Sequence, residues 1–443
     1  MKFIRLCILF FFGIQILWSQ EGFHFDTSKN KITLPFEFIN NLIIIPIEVN
    51  GVSLNFLLDT GVEETILFSI DETDEISFSQ IEKVRIRGFG SNDAFDAYKS
   101  VNNKLSIKKF TDLNHTIYLV LDQNINISSQ VGIPVNGIIG RHFFKNNLVK
   151  INYQSKKITI YNKGNKELEK IAKTYKKNTL EFIQGKPYLL ATTFFENSEN
   201  PLSTKLLIDT GNTDALWYFK ENNKQIVIPK VNFDDFLGRG FSGEVYGKRG
   251  RIPSMYIGDF KFDKPLVAFP DTIATSKIDE IEGRLGSIGS EIMRRFTVVM
   301  DYKSNAVYLK KNNSFNEPFN FNMSGLEIQH QGLQWIKESY EENPTISNNL
   351  FDENGNKIAG NLKYKFELKP IYIVANVRKK SPADLAGLKK EDVVIKINHL
   401  SGYYYTLQKI NELLKSEEGK TIEFEIDRKG KIMTFKFELK ILL

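Results

Sequence analysis

Hydrophobic positions along this chain come in short bursts rather than in long helical stripes. The first burst, Leu6–Trp18, is almost unbroken, follows Lys2 and Arg5, and gives way at Ser19-Gln20 to the polar Glu21. A run of that length is short for a bilayer span and reads as a cleaved export signal over residues 1–20, with an uncleaved anchor as the alternative. Asn41–Val49 and Pro187–Phe195 are rich in β-branched and aromatic residues, and each leads toward an Asp-Thr-Gly turn, so both predict strands. Lys157–Tyr161 and Val307–Lys310 read as closing strands. Helical signal is sparse: a short helix after Gly140, another after Gly289, and the charged stretch 163–177 as a solvated helix or linker.

The chain also repeats itself. Phe56-Leu57-Leu58-Asp59-Thr60-Gly61 returns as Leu206-Leu207-Ile208-Asp209-Thr210-Gly211, at an offset of 150 residues. Arg87-Gly88-Phe89 returns as Arg239-Gly240-Phe241, and Phe38-Ile39 is echoed by Phe182-Ile183. Ile139-Gly140, with Tyr153 downstream, returns as Ile288-Gly289 with Tyr302. Landmarks in one order at nearly constant offset indicate a duplicated lobe. The fold class that follows is mainly β, with two similar lobes over residues 21–162 and 178–315.

From about Gly325 the texture changes. Residues 316–360 read as a connecting segment, polar and irregular over Gln331–Gly360, and 361–443 as a small α+β domain. There, Tyr372–Val377 predicts a strand, and Ser381–Leu388 a short helix that starts at Ser-Pro and stops at Gly387. Asp392–Asn398 predicts a strand and Thr406–Lys415 a helix. Thr421–Arg428 and Lys431–Leu439 predict a hairpin across Lys429-Gly430.

Composition narrows the function classes. With 42% hydrophobic and 25% charged residues, 443 residues suffice for several packed domains. The net charge of +6 is spread out, and no concentrated basic stripe argues for nucleic acid. The single cysteine, Cys7, lies in the signal segment, so a mature chain would hold no disulfide, cysteine nucleophile or thiolate metal site. His24, His115, His142, His330 and His399 show no metal-ligand spacing and read as structural or surface residues. Neither metal nor organic cofactor is expected.

The candidate chemistry is in the two Asp-Thr-Gly turns. A carboxylate at the end of an apolar strand lies against a dry wall, and two of them brought together cannot both ionise. The pair would share a proton and act as general base and general acid on a trapped water. The apparent pKa values would belong to the pair, so sequence does not say which Asp holds the proton. Thr60 and Thr210 would hydrogen-bond across the lobe interface, and Gly61 and Gly211 would let backbone amides reach the carboxylates.

On these residues the stretch Lys31–Lys311 resembles the pepsin-like and retropepsin-like aspartic peptidases. The resemblance implies a bilobal β fold with one catalytic Asp per lobe, Asp59 and Asp209. It also implies an apolar-apolar-Gly segment beneath each turn: Ile138-Ile139-Gly140, and, as a poorer match, Ser287-Ile288-Gly289. Flap hairpins would fall at Gly88-Phe89-Gly90 and at Gly240-Phe241. Val62 and Asn212 depart from the small or hydroxylated residue usual after Asp-Thr-Gly, which bears on how the pair is tuned. Pepsin-type disulfides and a flap tyrosine are absent.

Ser381-Pro382-Ala383, Ala386-Gly387-Leu388 and Glu391-Asp392-Val393-Val394 resemble bacterial PDZ domains over about Lys369–Leu443. That family binds peptide C-termini by adding a strand to a sheet edge. The glycine-rich loop that would hold a terminal carboxylate is not recognisable, which leaves a structural or regulatory role open beside peptide capture. The expectation is therefore a monomeric aspartic endopeptidase, exported to the periplasm or surface of a Gram-negative bacterium, with peptide or protein substrates. The alternatives are a degenerate peptidase scaffold that binds peptides and a factor that cuts only itself or one partner.

Overall fold

The computed structural model describes residues 22–26, 28–68, 75–86, 95–121, 126–162, 165–196, 198–240, 243–272, 281–341 and 362–443. The expected export signal lies outside them. The architecture is mostly β, in three parts that share sheets and contacts.

Each lobe is built around one large sheet, of nine described strands in the first lobe and ten in the second. In the first lobe Leu42–Val49 pairs antiparallel with Val52–Leu58, and Gly137–Ile139 joins on the other side in parallel. In the second lobe Lys186–Phe194, Leu202–Ile208 and Arg284–Ile288 repeat that arrangement. Ile43, Ile45, Phe56 and Leu58 are buried in the main core, as are Leu206 and Ile208. Strand alternation therefore places Leu57 and Leu207 on the opposite face, the one that carries the two Asp side chains.

A third sheet joins the lobes. Its order is Lys176–Thr179, Ala306–Lys311, Phe296–Asp301, Leu148–Asn152, Lys157–Tyr161 and Lys31–Pro35, three strands from each half. The pairing that crosses the boundary is antiparallel, with Lys150 opposite Val299. The charged linker forms the helix Asn165–Thr174, as expected, but it is not purely solvated. Ile171 is buried against Leu148, Tyr161, Val299 and Tyr308, with Leu168 and Tyr175 packed beside it, an i, i+3, i+7 stripe.

The C-terminal sheet runs Leu326–Glu341, Leu362–Val377, Val393–Ile397, Thr421–Arg428 and Lys431–Glu438. Ser381 caps the helix Pro382–Ala386 by accepting from the Asp384 amide, and Gly387 ends it at φ +102°. Lys429 and Gly430, at φ +55° and +83°, make the tight turn that the hairpin requires. Leu407, Ile410 and Leu414 of the helix Leu407–Leu414 are buried in the core, with the Thr406 hydroxyl as its N-cap.

One expectation is corrected here. Residues 331–341, read from sequence as irregular, continue a strand that pairs with Leu362–Val377 from Leu326↔Val377 to Glu341↔Leu362. Beyond its first residues this two-stranded ribbon turns one face to solvent: Trp335, Phe366 and Leu368, which the register puts side by side, are all exposed. Cross-strand hydrogen bonds hold it, and its large apolar residues Leu333 and Trp335 are on the exposed face, so they do not mark a half-buried strand in sequence. Leu326–Glu341 is thereby the edge strand of this sheet, outside Leu362–Val377.

Candidate active site

Both candidate carboxylates sit where an apolar strand runs out. The Asp59 amide donates to Ile139 O and the Asp209 amide to Ile288 O, each at 2.9 Å. Gly140 and Gly289 then pass under the turns so closely that a Cβ would fall 1.9 Å from Val62 O and 2.2 Å from Asp214 O, respectively. Any side chain there would displace the turn. Ser287-Ile288-Gly289, the poorer match in sequence, thus threads its turn as Ile138-Ile139-Gly140 does.

The turns are locked to each other through the threonines. The Thr60 amide donates to Thr210 Oγ1 at 3.0 Å, and the Thr210 amide to Thr60 Oγ1 at 3.1 Å. Each hydroxyl in turn donates across the interface, Thr60 to Ile208 O at 2.6 Å and Thr210 to Leu58 O at 2.8 Å. Both threonines are buried, so losing a hydroxyl would strand amides and carbonyls without water.

This lock brings the carboxylates together. The Gly211 amide lies 3.1 Å from Asp209 Oδ1 and 3.2 Å from Asp59 Oδ1, so one N–H reaches both. Gly61 N–H donates to Asp59 Oδ1 at 2.7 Å, and Asn212 N–H to Asp209 Oδ1 at 3.1 Å. A Cβ on Gly211 would stand 2.2 Å from Asp59 Oδ2, which is why glycine is required. Asp59 is buried and Asp209 half-buried. Burial raises both carboxyls above the ordinary carboxylate range, and the Asp209 charge raises Asp59 further. The Arg284 guanidinium pulls Asp209 back down.

The two departures after the turns have local roles. Val62 packs against the apolar cluster of Leu42 and Ile44, and its carbonyl accepts from Arg141 N–H at 3.1 Å. Asn212 Oδ1 accepts from the Asp214 amide at 2.9 Å and so stiffens its own turn. Hairpin turns clasp the opposite lobe: Asn41 Nδ2 donates to Thr213 O and Glu291 Oε2, both at 2.9 Å. Gly185 lies against the Arg141–Glu63 ion pair, whose separation is 3.1 Å.

Of the expected flaps, Gly88, Phe89, Gly90 and Phe241 lie outside the described residues. Their stems are present as hairpins. Ile86 pairs with Phe95 in the first lobe, and Gly240 pairs with Gly243 in the second.

Sequence reading missed a charged bridge behind the second turn. Arg249 joins Asp214 at 2.7 Å to Asp235 at 2.8 Å, and Arg378 of the C-terminal domain reaches Asp235 at 3.3 Å. Trp217 Nε1 donates to Asp214 at 2.7 Å. A cleft of about 360 Å³ lies in the same region, between Phe236, Arg239 and Glu244 of the second-lobe hairpin and Ile373, Asn376 and Lys390 of the C-terminal domain.

His115 has a structural place. Its Nε2 lies 2.7 Å from Thr65 Oγ1 and its Nδ1 2.7 Å from Asp112 Oδ2. Hydroxyl, imidazole and carboxylate are in the order of a nucleophilic triad, but all three are sealed inside the first lobe, where no substrate reaches them. Among the described residues, no three His, Cys, Asp or Glu side chains are placed to hold a metal ion.

Comparison with protein families agrees with this geometry. Residues 45–143 match the aspartyl protease family model, spanning Asp59 and the Gly140 thread, and residues 355–439 match the PDZ domain model. The chain carries an aspartyl protease domain and a PDZ domain. Among solved structures, the chain is similar to the aspartic proteinase from Irpex lacteus, at 13% identity and a TM-score of 0.41, over 66% of this chain and 100% of that one. No protein curated for function matches. In the PDZ domain Tyr405 donates its hydroxyl to Ile397 O at 3.2 Å, while Tyr404 is exposed and donates to Glu338 at 3.0 Å.

Proposed function

We propose that this protein is an aspartic endopeptidase in which Asp59 and Asp209 activate one water for attack on a peptide bond. The observation that carries the reading is the single Gly211 amide within 3.2 Å of both carboxylates, held by reciprocal threonine bonds from the other lobe. Arg284 favours charge on Asp209 and the proton on Asp59. Asp209 takes a proton from the water as its oxygen bonds to the carbonyl carbon, and Asp59 gives its proton to the carbonyl oxygen. The tetrahedral diol then collapses: the C–N bond breaks as Asp209 gives its proton to the leaving nitrogen, and a diol hydroxyl returns its proton to Asp59 as the new carboxylic acid forms, which restores the shared-proton state. No further group is needed for that balance.

Lys2, Arg5 and Leu6–Trp18 support export as part of this reading, and with it a periplasmic or cell-surface setting. The PDZ match supports a peptide or protein partner. The test is cleavage of a diverse peptide mixture from acid to neutral pH by wild type and Asp59→Asn. Cleavage that is lost in the folded variant is expected. Equal cleavage by the variant, or peptide binding without turnover in wild type, would overturn the peptidase reading.

A further inference from the structure

The faces that carry the two carboxylates have different linings. In the first lobe Leu42, Ile44, Leu57, Val135 and Ile138 form one apolar cluster. Strand register identifies their counterparts. Leu42 pairs with Ile39 as Lys186 pairs with Ile183, and Ile44 pairs with Leu57 as Tyr188 pairs with Leu207. Ile138 lies beside Leu57 as Ser287 lies beside Leu207. Val135 and Arg284 each stand four residues before the isoleucine of the thread. An apolar wall in one lobe is thus matched in the other by lysine, tyrosine, leucine, arginine and serine.

Arg284 is buried, stacked 5.3 Å from the Phe219 ring centre and 5.9 Å from that of Tyr188. The sole hydrogen bond of its guanidinium among the described residues is a long one from Nε to Gly286 O, at 3.4 Å. Neither Arg284 nor Lys186 forms an ion pair among the described residues. The carboxylates whose fields reach Lys186 are Asp59, Asp209 and Glu63. With one shared proton the dyad carries a single negative charge. Glu63 is neutralised by Arg141 at 3.1 Å, and the nearby Glu181 by Lys205 at 2.9 Å. Two positive charges therefore face one negative charge. A desolvated cation without a partner is costly unless an anion completes the site.

We infer that Lys186 and Arg284 form a subsite for a carboxylate of the peptide substrate, in the lobe whose counterpart holds a buried apolar cluster at the matching positions. The inference rests on the peptidase reading and adds its substrate class. The carboxylate comes either from an Asp or Glu side chain near the cut or from the peptide's own C-terminus.

The experiment sequences the products of a mixed peptide library and then compares matched substrates: Glu against Gln at the selected position, and free against amidated C-termini. In wild type, neutralising the carboxylate that is used is expected to lower kcat/KM on the order of 10–100-fold. That ratio should fall toward one in Lys186→Gln and in Arg284→Gln. A ratio taken within one preparation is independent of how much of a variant has folded. Indifference of wild type to both carboxylates, or an unchanged ratio in both variants, would overturn the subsite while leaving the peptidase intact. Should wild type cleave nothing, the peptidase reading falls. Equal binding of the matched peptides to wild type and Lys186→Gln would then overturn the subsite as well.

Discussion

The two lobes of the protease domain keep one backbone plan and diverge in what they line it with. Around each Asp the parts are duplicated: a strand that ends in Asp-Thr-Gly, a glycine thread beneath it, and a threonine that donates into the other lobe. One residue further out the likeness ends. Leu42 becomes Lys186, Val135 becomes Arg284 and Ile138 becomes Ser287, with no change in pairing beyond a bulge at Lys205/Leu206. Positions that set the spacing of the carboxylates are constrained by close contact. Positions one layer out are not held by such close contact and are free to differ, and a single chain can differ on one side alone.

The comparison breaks most visibly at the carboxylates. If both halves contribute one acid to one site, Asp59→Asn and Asp209→Asn should each lower kcat by about 10²–10⁴-fold, whichever lobe is changed. A variant that keeps most of its turnover in peptide cleavage would show that its lobe is not an equal partner.

Next in size is the threonine lock. Thr60→Val and Thr210→Val each remove a buried hydroxyl that both donates and accepts across the interface. Each should cost about 1–3 kcal/mol in denaturant unfolding, equally for the two lobes. The double variant should cost less than the sum, because the two hydroxyls share one network. Strict additivity would mean that the lock acts as two separate contacts.

The smallest effect sharpens the asymmetry. Arg284 lowers the Asp209 pKa, so Arg284→Met should raise it. The proposed mechanism needs Asp209 ionised, and the acid limb of the kcat profile should therefore move to higher pH. Val135→Met, at the matching site of the first lobe, should leave that limb in place. An acid limb unmoved in Arg284→Met would place the arginine's charge outside the catalytic balance.

Much of this arrangement was legible in the sequence because local chemistry encodes it. An apolar strand before Asp-Thr-Gly, a glycine after two apolar residues, and Ser381 before Pro382 each carry their reason within a few positions. The same holds for Lys429-Gly430, where two positive φ angles close a hairpin. What was not legible depends on distant partners. The Arg378–Asp235 contact spans 143 residues, and neither side chain sits in a motif. The strand Leu326–Glu341 is held by its neighbour, and Leu333 and Trp335 lie exposed, so its apolar residues do not mark a buried face. Lys186 and Arg284 could have been found by aligning the two halves residue by residue through the hairpins, since each stands where its counterpart is aliphatic.

The sheet that joins the lobes has a symmetry of its own. Lys150 pairs with Val299, and the two are each other's counterparts in the repeat, since Tyr153 and Tyr302 follow them at the same distance. A two-fold axis thus runs through that pair, and Leu148–Asn152 meets Phe296–Asp301 as a strand meets its own copy. A lobe folded alone would present a self-complementary edge, and two such lobes would associate isologously with both turns already facing. The covalent linker is then not what brings the halves together. It makes them permanently unequal partners, so that one half can change its lining without imposing the change on the other.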